Sequence, residues 1–164
     1  MVRVVFVCHG NICRSPMAEY LFKYYVKNKG TSDKFIIDSM ATSTEEIGNG
    51  VHRGTKKILD KFNIDYSNHR ATQIRYSDYD KYDFIIVMDR NNIYNLRRIF
   101  EDKDNKVHLF LGYAGINRDI SDPWYTGNFD ETYKDIKLGI DGFYKYLVEN
   151  GYLNWGESYV VKNT

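Results

Sequence analysis

Cysteine and proline are scarce, at two of each in 164 residues. A secreted scaffold held together by disulfides carries more cysteines, spread along the chain. Here Cys8 and Cys13 lie close together in one stretch. A reducing cytoplasm is the expected compartment, and there a cysteine is often present for its chemistry. Long hydrophobic runs are missing too, since no stretch approaches the roughly 20 apolar residues of a membrane span. The opening segment MVRVVFVCHGN is too short and too β-branched for a secretory signal. Neither sign of charge dominates. A formal net charge of +1 gives no reason to expect a nucleic-acid or membrane-surface partner.

What remains is ordinary globular material. Hydrophobic residues reach 43% and no polar tract or repeat interrupts them, so a buried core and a single domain over residues 1–164 are expected. Val2–Val7 is short, apolar and β-branched, which suits a strand buried on both faces. After a loop from Cys8 to Ser15, Met17, Leu21, Phe22, Tyr25 and Val26 recur at helical spacing. Ser15 is the expected N-cap, Pro16 fits the first turn, and Gly30 ends the run.

The alternation continues. Lys34–Ser39, Asp83–Met88 and Lys106–Leu111 read as strands. Helices are expected over Val51–Phe62, Arg90–Phe100 and Phe129–Asn150. The last would bury Tyr133, Ile136, Ile140, Phe143, Tyr144 and Leu147. Strands alternating with helices imply right-handed crossovers, hence an α/β fold: a four-stranded parallel sheet with helices on both faces. Ligands in such folds bind at the carboxyl ends of the strands, where Cys8 stands.

The loop Cys8-His9-Gly10-Asn11-Ile12-Cys13-Arg14-Ser15 lies between a strand and a helix. Curled there, its backbone N–H groups form an anion nest at the positive end of the helix. Gly10 and Asn11 most readily take the left-handed conformations that the curl needs. The same field favours a thiolate at Cys8. Arg14 adds a planar fork that matches two phosphoryl oxygens. A bare C-x5-R occurs often by chance; the preceding strand, the internal glycine and the following Ser-Pro give it meaning.

A phosphate ester also needs its leaving oxygen protonated. Asp122, in Ser121-Asp122-Pro123-Trp124-Tyr125, is the candidate acid, in the irregular stretch Gly112–Asn128 after the fourth strand. Trp124 and Tyr125 offer aromatic walls for a phenyl ring. The other histidines, His52 and His108, stand at no ligand-like spacing, so neither a metal nor a cofactor is expected.

VCHGNICRSPMAE and DPWYTG together resemble the signature and general-acid loops of the low-molecular-weight protein tyrosine phosphatases, and the element order fits over about residues 2–150. The resemblance implies a two-step hydrolysis of phosphotyrosine and small aryl phosphates, without metal, acting on phosphotyrosine proteins and releasing inorganic phosphate. It makes Cys8 the nucleophile of a phosphocysteine intermediate, Arg14 the phosphoryl stabiliser, and Asp122 the acid and then the base. It gives Ser15 a hydrogen bond to the Cys8 thiolate. Asn11 would hold the strained loop through a network with Ser15, Ser39 and His69. Cys13 matches the family's second cysteine, which traps an oxidised Cys8 as a disulfide; a small buried hydrophobe is the compatible plain reading.

Three departures bear on substrate. His9 stands where the family often has leucine, and an exposed rim position is the expectation. Glu45 and Glu46 occupy a segment where many members carry a tryptophan wall, so a basic peptide flank is favoured. Ile12 replaces the threonine of phosphoarginine phosphatases with the same fold, which tilts the substrate toward phosphotyrosine. Thioredoxin-coupled arsenate reductases share the loop, but they pass a disulfide to later cysteines that this chain lacks. A sugar phosphocarrier needs a stable phosphocysteine, which Arg14 and a nearby acid oppose. A phosphate-binding module would need no thiol.

Overall fold

A computed structural model describes residues 1–153. The elements in chain order are β1 (Val2–Cys8), α1 (Arg14–Asn28), β2 (Phe35–Ala41), α2 (Arg53–Asp60), β3 (Phe84–Val87), α3 (Arg90–Leu96), β4 (Val107–Leu109), α4 (Pro123–Thr126) and α5 (Phe129–Glu149). The four strands form one sheet in the order β2-β1-β3-β4, and all pairings are parallel. The chain leaves β1 toward β2 on one side and returns to β3 on the other. The end of β1 is therefore the switch point of the sheet, where a crevice opens.

The inner strands are apolar on both faces because both are covered. Val4, Phe6, Phe84 and Ile86 pack with Met17, Phe22, Ile136 and Phe143 from α1 and α5. Val5, Val7, Ile85 and Val87 alternate onto the other face, against Tyr79, Tyr82, Leu96 and Phe100. Phe6 sits at the centre of the first layer, with ring centroids 5.8 Å from Phe22 and 5.1 Å from Phe110. Of the expected apolar face of α5, Ile136, Ile140, Phe143 and Leu147 are core, and Tyr133 and Tyr144 pack at its edge. Among the described residues no helix is long and apolar enough to cross a membrane.

Ser15 is not the N-cap. Helix α1 begins at Arg14, and its cap residue Cys13 makes no side-chain cap bond. The Ser15 hydroxyl is instead 3.0 Å from the Cys8 sulfur and accepts from Asn11 Nδ2 at 2.8 Å. Pro16 falls at the third helical position, where a missing N–H still costs nothing. The fourth strand is shorter than Lys106–Leu111: Phe110–Ala114 turns into a 3-10 helix that ends at the left-handed Gly115, which brings Phe110 and Leu111 into the core. Helices α2 and α3 also end earlier than periodicity suggests.

His52 caps α2, its Nδ1 accepting from Gly54 N at 3.0 Å. Only the neutral ring has that acceptor. Burial, with repulsion from Arg53, holds His52 below its ordinary pKa, against a smaller opposing pull from Glu46. A histidine depressed in the folded state contributes stability that is complete above the unfolded value of about 6.5 and is lost as pH falls through the folded value. His52→Asn keeps a capping acceptor that does not titrate. Its melting temperature is expected to fall less than the wild type's between neutral pH and pH 5. Equal falls in both proteins would contradict this.

Candidate active site

Carbonyl bonding shapes the loop after β1. Cys8 O accepts from Thr42 N at 3.0 Å, His9 O from Ser43 N at 3.1 Å, and Ile12 O from His52 N at 2.8 Å. Asn11 O accepts from His69 Nε2 at 2.8 Å, and Cys13 O from Thr55 Oγ1 at 3.0 Å. Each carbonyl is thus drawn outward by surrounding elements. Because the peptide unit is planar and trans, the N–H groups of His9, Gly10, Ile12, Cys13 and Arg14 point the other way. N–H groups turned inward in this way form a nest of positive dipoles suited to an anion. The Cys8 sulfur itself accepts from Asn11 N at 3.3 Å and Ser15 N at 3.4 Å.

Asn11 carries the strain of the curl, with φ at +59°, whereas Gly10, also expected to be left-handed, does not take a positive φ. The fully buried Asn11 side chain compensates with three bonds. Nδ2 donates to Ser15 Oγ and to Ser39 Oγ at 2.8 and 2.9 Å, and Oδ1 accepts from Thr72 N at 3.1 Å. Asn11, Ser15, Ser39 and His69 therefore meet as expected. Sequence reading missed Glu19, which closes the network: buried on α1, it accepts from Ser39 Oγ and from Lys23 Nζ, both at 2.6 Å. Its signal was a lone carboxylate on the apolar side of a helix.

Arg14 is only 2% exposed. Its NH1 is fixed by Asp89 Oδ2 at 2.6 Å and Ile120 O at 2.8 Å, and NH2 lies 3.4 Å from Asp122 Oδ2. Burial opposes its charge, but Cys8, Asp89 and Asp122 outweigh that and raise its pKa above the ordinary value. Asp89 also went unnoticed in the sequence, although Asp89-x-x-Asn92 is a capping box. Its Oδ1 accepts from Asn92 N at 2.8 Å, and Asn92 Oδ1 accepts from Asp89 N at 3.1 Å. One carboxylate oxygen caps α3 while the other holds Arg14.

Asp122 is the N-cap of α4 with Pro123 following, and its Oδ1 accepts from Trp124 N at 3.0 Å. That leaves Oδ2 toward Arg14 and the pocket. The pocket over Cys8 is lined by Ile12, Cys13, Arg14 and Asp122, with Trp124 and Tyr125 at the rim. The two aromatic rings are open walls, 58% and 83% exposed. His9, Gly10, Glu45 and Glu46 complete the lining. His9 is half-exposed and meets Glu45 at 2.6 Å. Burial, with repulsion from Cys8 and Asp122, pushes the Cys13 thiol far up, and it packs with Ile12 and Ala71.

A thiol in a ring of N–H donors, backed by a fixed guanidinium at the switch point of a parallel sheet, defines a cysteine-dependent phosphoryl-transfer protein. The chain belongs to the low molecular weight phosphotyrosine protein phosphatase family, whose model matches residues 3–152. It is 40% identical over 144 residues to the low molecular weight protein-tyrosine-phosphatase YfkJ of Bacillus subtilis, covering 86% of this chain and 92% of that one. The crystal structure of YfkJ superposes with a TM-score of 0.87 at 37% identity, covering 92% and 96% of the two chains. That of SP-PTP, a low molecular weight protein tyrosine phosphatase from Streptococcus pyogenes, gives 0.78 at 38% identity over 98% and 97%. The Drosophila arginine phosphatase gives 0.79 at 26% identity over 87% and 96%.

Proposed function

We propose that this chain hydrolyses phosphotyrosine in proteins, and small aryl phosphates, through a phosphocysteine formed on Cys8. The observation that carries this reading is the Cys8 sulfur, which accepts from Asn11 N and Ser15 N and shares one pocket with Arg14 and Asp122. In the first step the Cys8 thiolate attacks phosphorus and the bond to the phenolic oxygen breaks. Asp122, as the acid, protonates that oxygen, so a phenol departs rather than a phenolate. The N–H ring and the Arg14 fork bear the charge on the three phosphoryl oxygens as it spreads in the transition state.

In the second step Asp122, now a carboxylate, takes a proton from water as it attacks phosphorus. The sulfur–phosphorus bond breaks, inorganic phosphate is released, and the Ser15 hydroxyl donates to the departing thiolate. Asp89 and Ile120 O hold Arg14 in register, while Asn11, Ser39, Glu19 and His69 hold the loop. Gly10 leaves room for Glu46, whose Cγ lies 3.3 Å from where a Cβ would stand, and His9, Ile12, Cys13, Trp124 and Tyr125 form the walls. Thiolate, guanidinium and carboxyl together supply nucleophile, charge stabilisation and proton, so the scheme needs neither metal nor cofactor.

The chain would act as one domain over residues 1–164, of which 154–164 lie outside the described residues. We place it in the cytoplasm, a reading supported by its two free cysteines. Its partners would be phosphotyrosine proteins, with no role for nucleic acid or membrane. Assaying phosphotyrosine and phosphoarginine peptides of the same sequence tests the substrate class. The expected result is kcat/KM at least about tenfold higher for phosphotyrosine, a difference of about 1.4 kcal/mol in transition-state binding. Faster turnover of phosphoarginine would overturn it.

A further inference from the structure

Beyond Trp124 the surface opens into a second groove of about 650 Å³ that the reaction above does not use. Trp124 lines both this groove and the Cys8 pocket. The groove takes its charge from α2 and the residue that follows it. Arg53, Lys57 and Lys61 recur every four positions, which aligns them on one helix face. All three are exposed and line the groove, against a single carboxylate, Asp130. Lys61 stands 4.0 Å from Asp130, whereas Arg53 and Lys57 make no ion pair among the described residues.

The floor between these cations and Trp124 is packed. The Phe129 ring lies over Gly54 so closely that a Cβ there would fall 2.4 Å from it. His52 stacks on Phe129 with centroids 5.1 Å apart and meets Trp124 edge-on at 5.6 Å. The Cys8 pocket has the opposite character at its rim, where Glu45 and Glu46 stand.

We propose that the groove binds an acidic segment of the phosphorylated substrate, so that the enzyme selects phosphotyrosines flanked by Asp or Glu on one side. This rests on the reading of the Cys8 pocket as a phosphotyrosine site. Trp124 joins the pocket to the groove, and Glu45 and Glu46 stand elsewhere on the pocket lining, so a bound chain on this proposal has two exits. Over Trp124 it meets Arg53, Lys57 and Lys61, which attract carboxylates. Past Glu45 and Glu46 it meets carboxylates, which repel them and suit Lys or Arg. The two flanks are therefore read differently, and the preferred substrate is polar along its length.

The test uses two phosphotyrosine peptides of identical composition, one with Glu residues before and Lys residues after the phosphotyrosine, the other reversed. Net charge is the same, so only the direction differs. One peptide is expected to show kcat/KM roughly tenfold above the other at low salt, as a few partly exposed charge pairs allow. The preference should shrink as salt screens it. K57E/K61E, at exposed positions outside the catalytic pocket, should abolish or invert the preference while p-nitrophenyl phosphate turns over at the wild-type rate. Equal rates for the two peptides with the wild type, or a preference that survives K57E/K61E unchanged, would overturn the proposal. Failure of the wild type to turn over p-nitrophenyl phosphate would instead overturn the phosphatase reading beneath it.

Discussion

Cys8→Ser is expected to lower turnover of phosphotyrosine and of aryl phosphates by about 10⁴-fold or more, the scale seen when a covalent nucleophile is removed. A serine hydroxyl fills the site almost isosterically, but it stays protonated where a thiol can ionise. The fold should survive, because the introduced hydroxyl can still bond Ser15 Oγ, which lies 3.0 Å from the present sulfur. Binding of phosphate or vanadate should survive as well. The cradle is built from backbone N–H groups whose carbonyls are held from outside by Thr42, Ser43, His52, Thr55 and His69, and from Arg14, which Asp89 anchors. None of these contacts depends on sulfur. Phosphate affinity measured by calorimetry beside steady-state rates separates binding from chemistry. A serine variant that loses both would point to a collapsed loop rather than a missing nucleophile.

The second large effect belongs to Asp122. Asp122→Ala should slow phosphotyrosine hydrolysis by about 10²- to 10⁴-fold, the usual weight of a general acid. In kcat/KM, which reports the first step, the loss should be smaller for p-nitrophenyl phosphate, whose leaving group departs without a proton. Asp122 has a structural duty too, since it caps α4 through Trp124 N, and losing a cap costs about 1 kcal/mol. Asp122→Asn isolates the chemistry: the amide oxygen still caps, but the group neither donates a carboxylic proton nor accepts one. If Asp122→Asn hydrolysed phosphotyrosine at the wild-type rate, another group would be the acid.

The sequence carried most of the fold because its information is local. Short β-branched apolar runs reported β1 and β3, period-3.6 spacing reported α1 and α5, and the alternation of strands and helices implied the parallel sheet. The loop was legible for the same reason, since Cys8, Gly10, Asn11 and Arg14 are packed into one short stretch. Asp122 stood out through its proline and the aromatic pair after it.

What was missed is long-range. Arg14 meets Asp89 across 75 positions and Asp122 across 108, and no local pattern announces such a pairing. Glu19 joins Ser39 over 20 positions, and the donors that turn the loop carbonyls outward come from residues 42–69. Ser15 shows the converse error. Locally it is a good N-cap, but its one hydroxyl is used on Cys8 and Asn11, and the tertiary demand overrode the local preference. Glu45 and Glu46, expected where relatives carry a tryptophan wall, do line the pocket; the cations beyond Trp124 needed α2 placed against α4 and α5 to become a groove.

The account stands on a phosphoryl group passing through Cys8, and trapping it is the most direct test. In Asp122→Asn, p-nitrophenyl phosphate should still phosphorylate the thiol, because its leaving group needs no acid. Hydrolysis of the intermediate should stall, because the water lacks its base. Rapid acid quench should then show a burst of nitrophenol equal to the enzyme present, with one phosphoryl group on the peptide containing Cys8. Nitrophenol released without a burst, or phosphate found on any residue other than Cys8, would contradict the account.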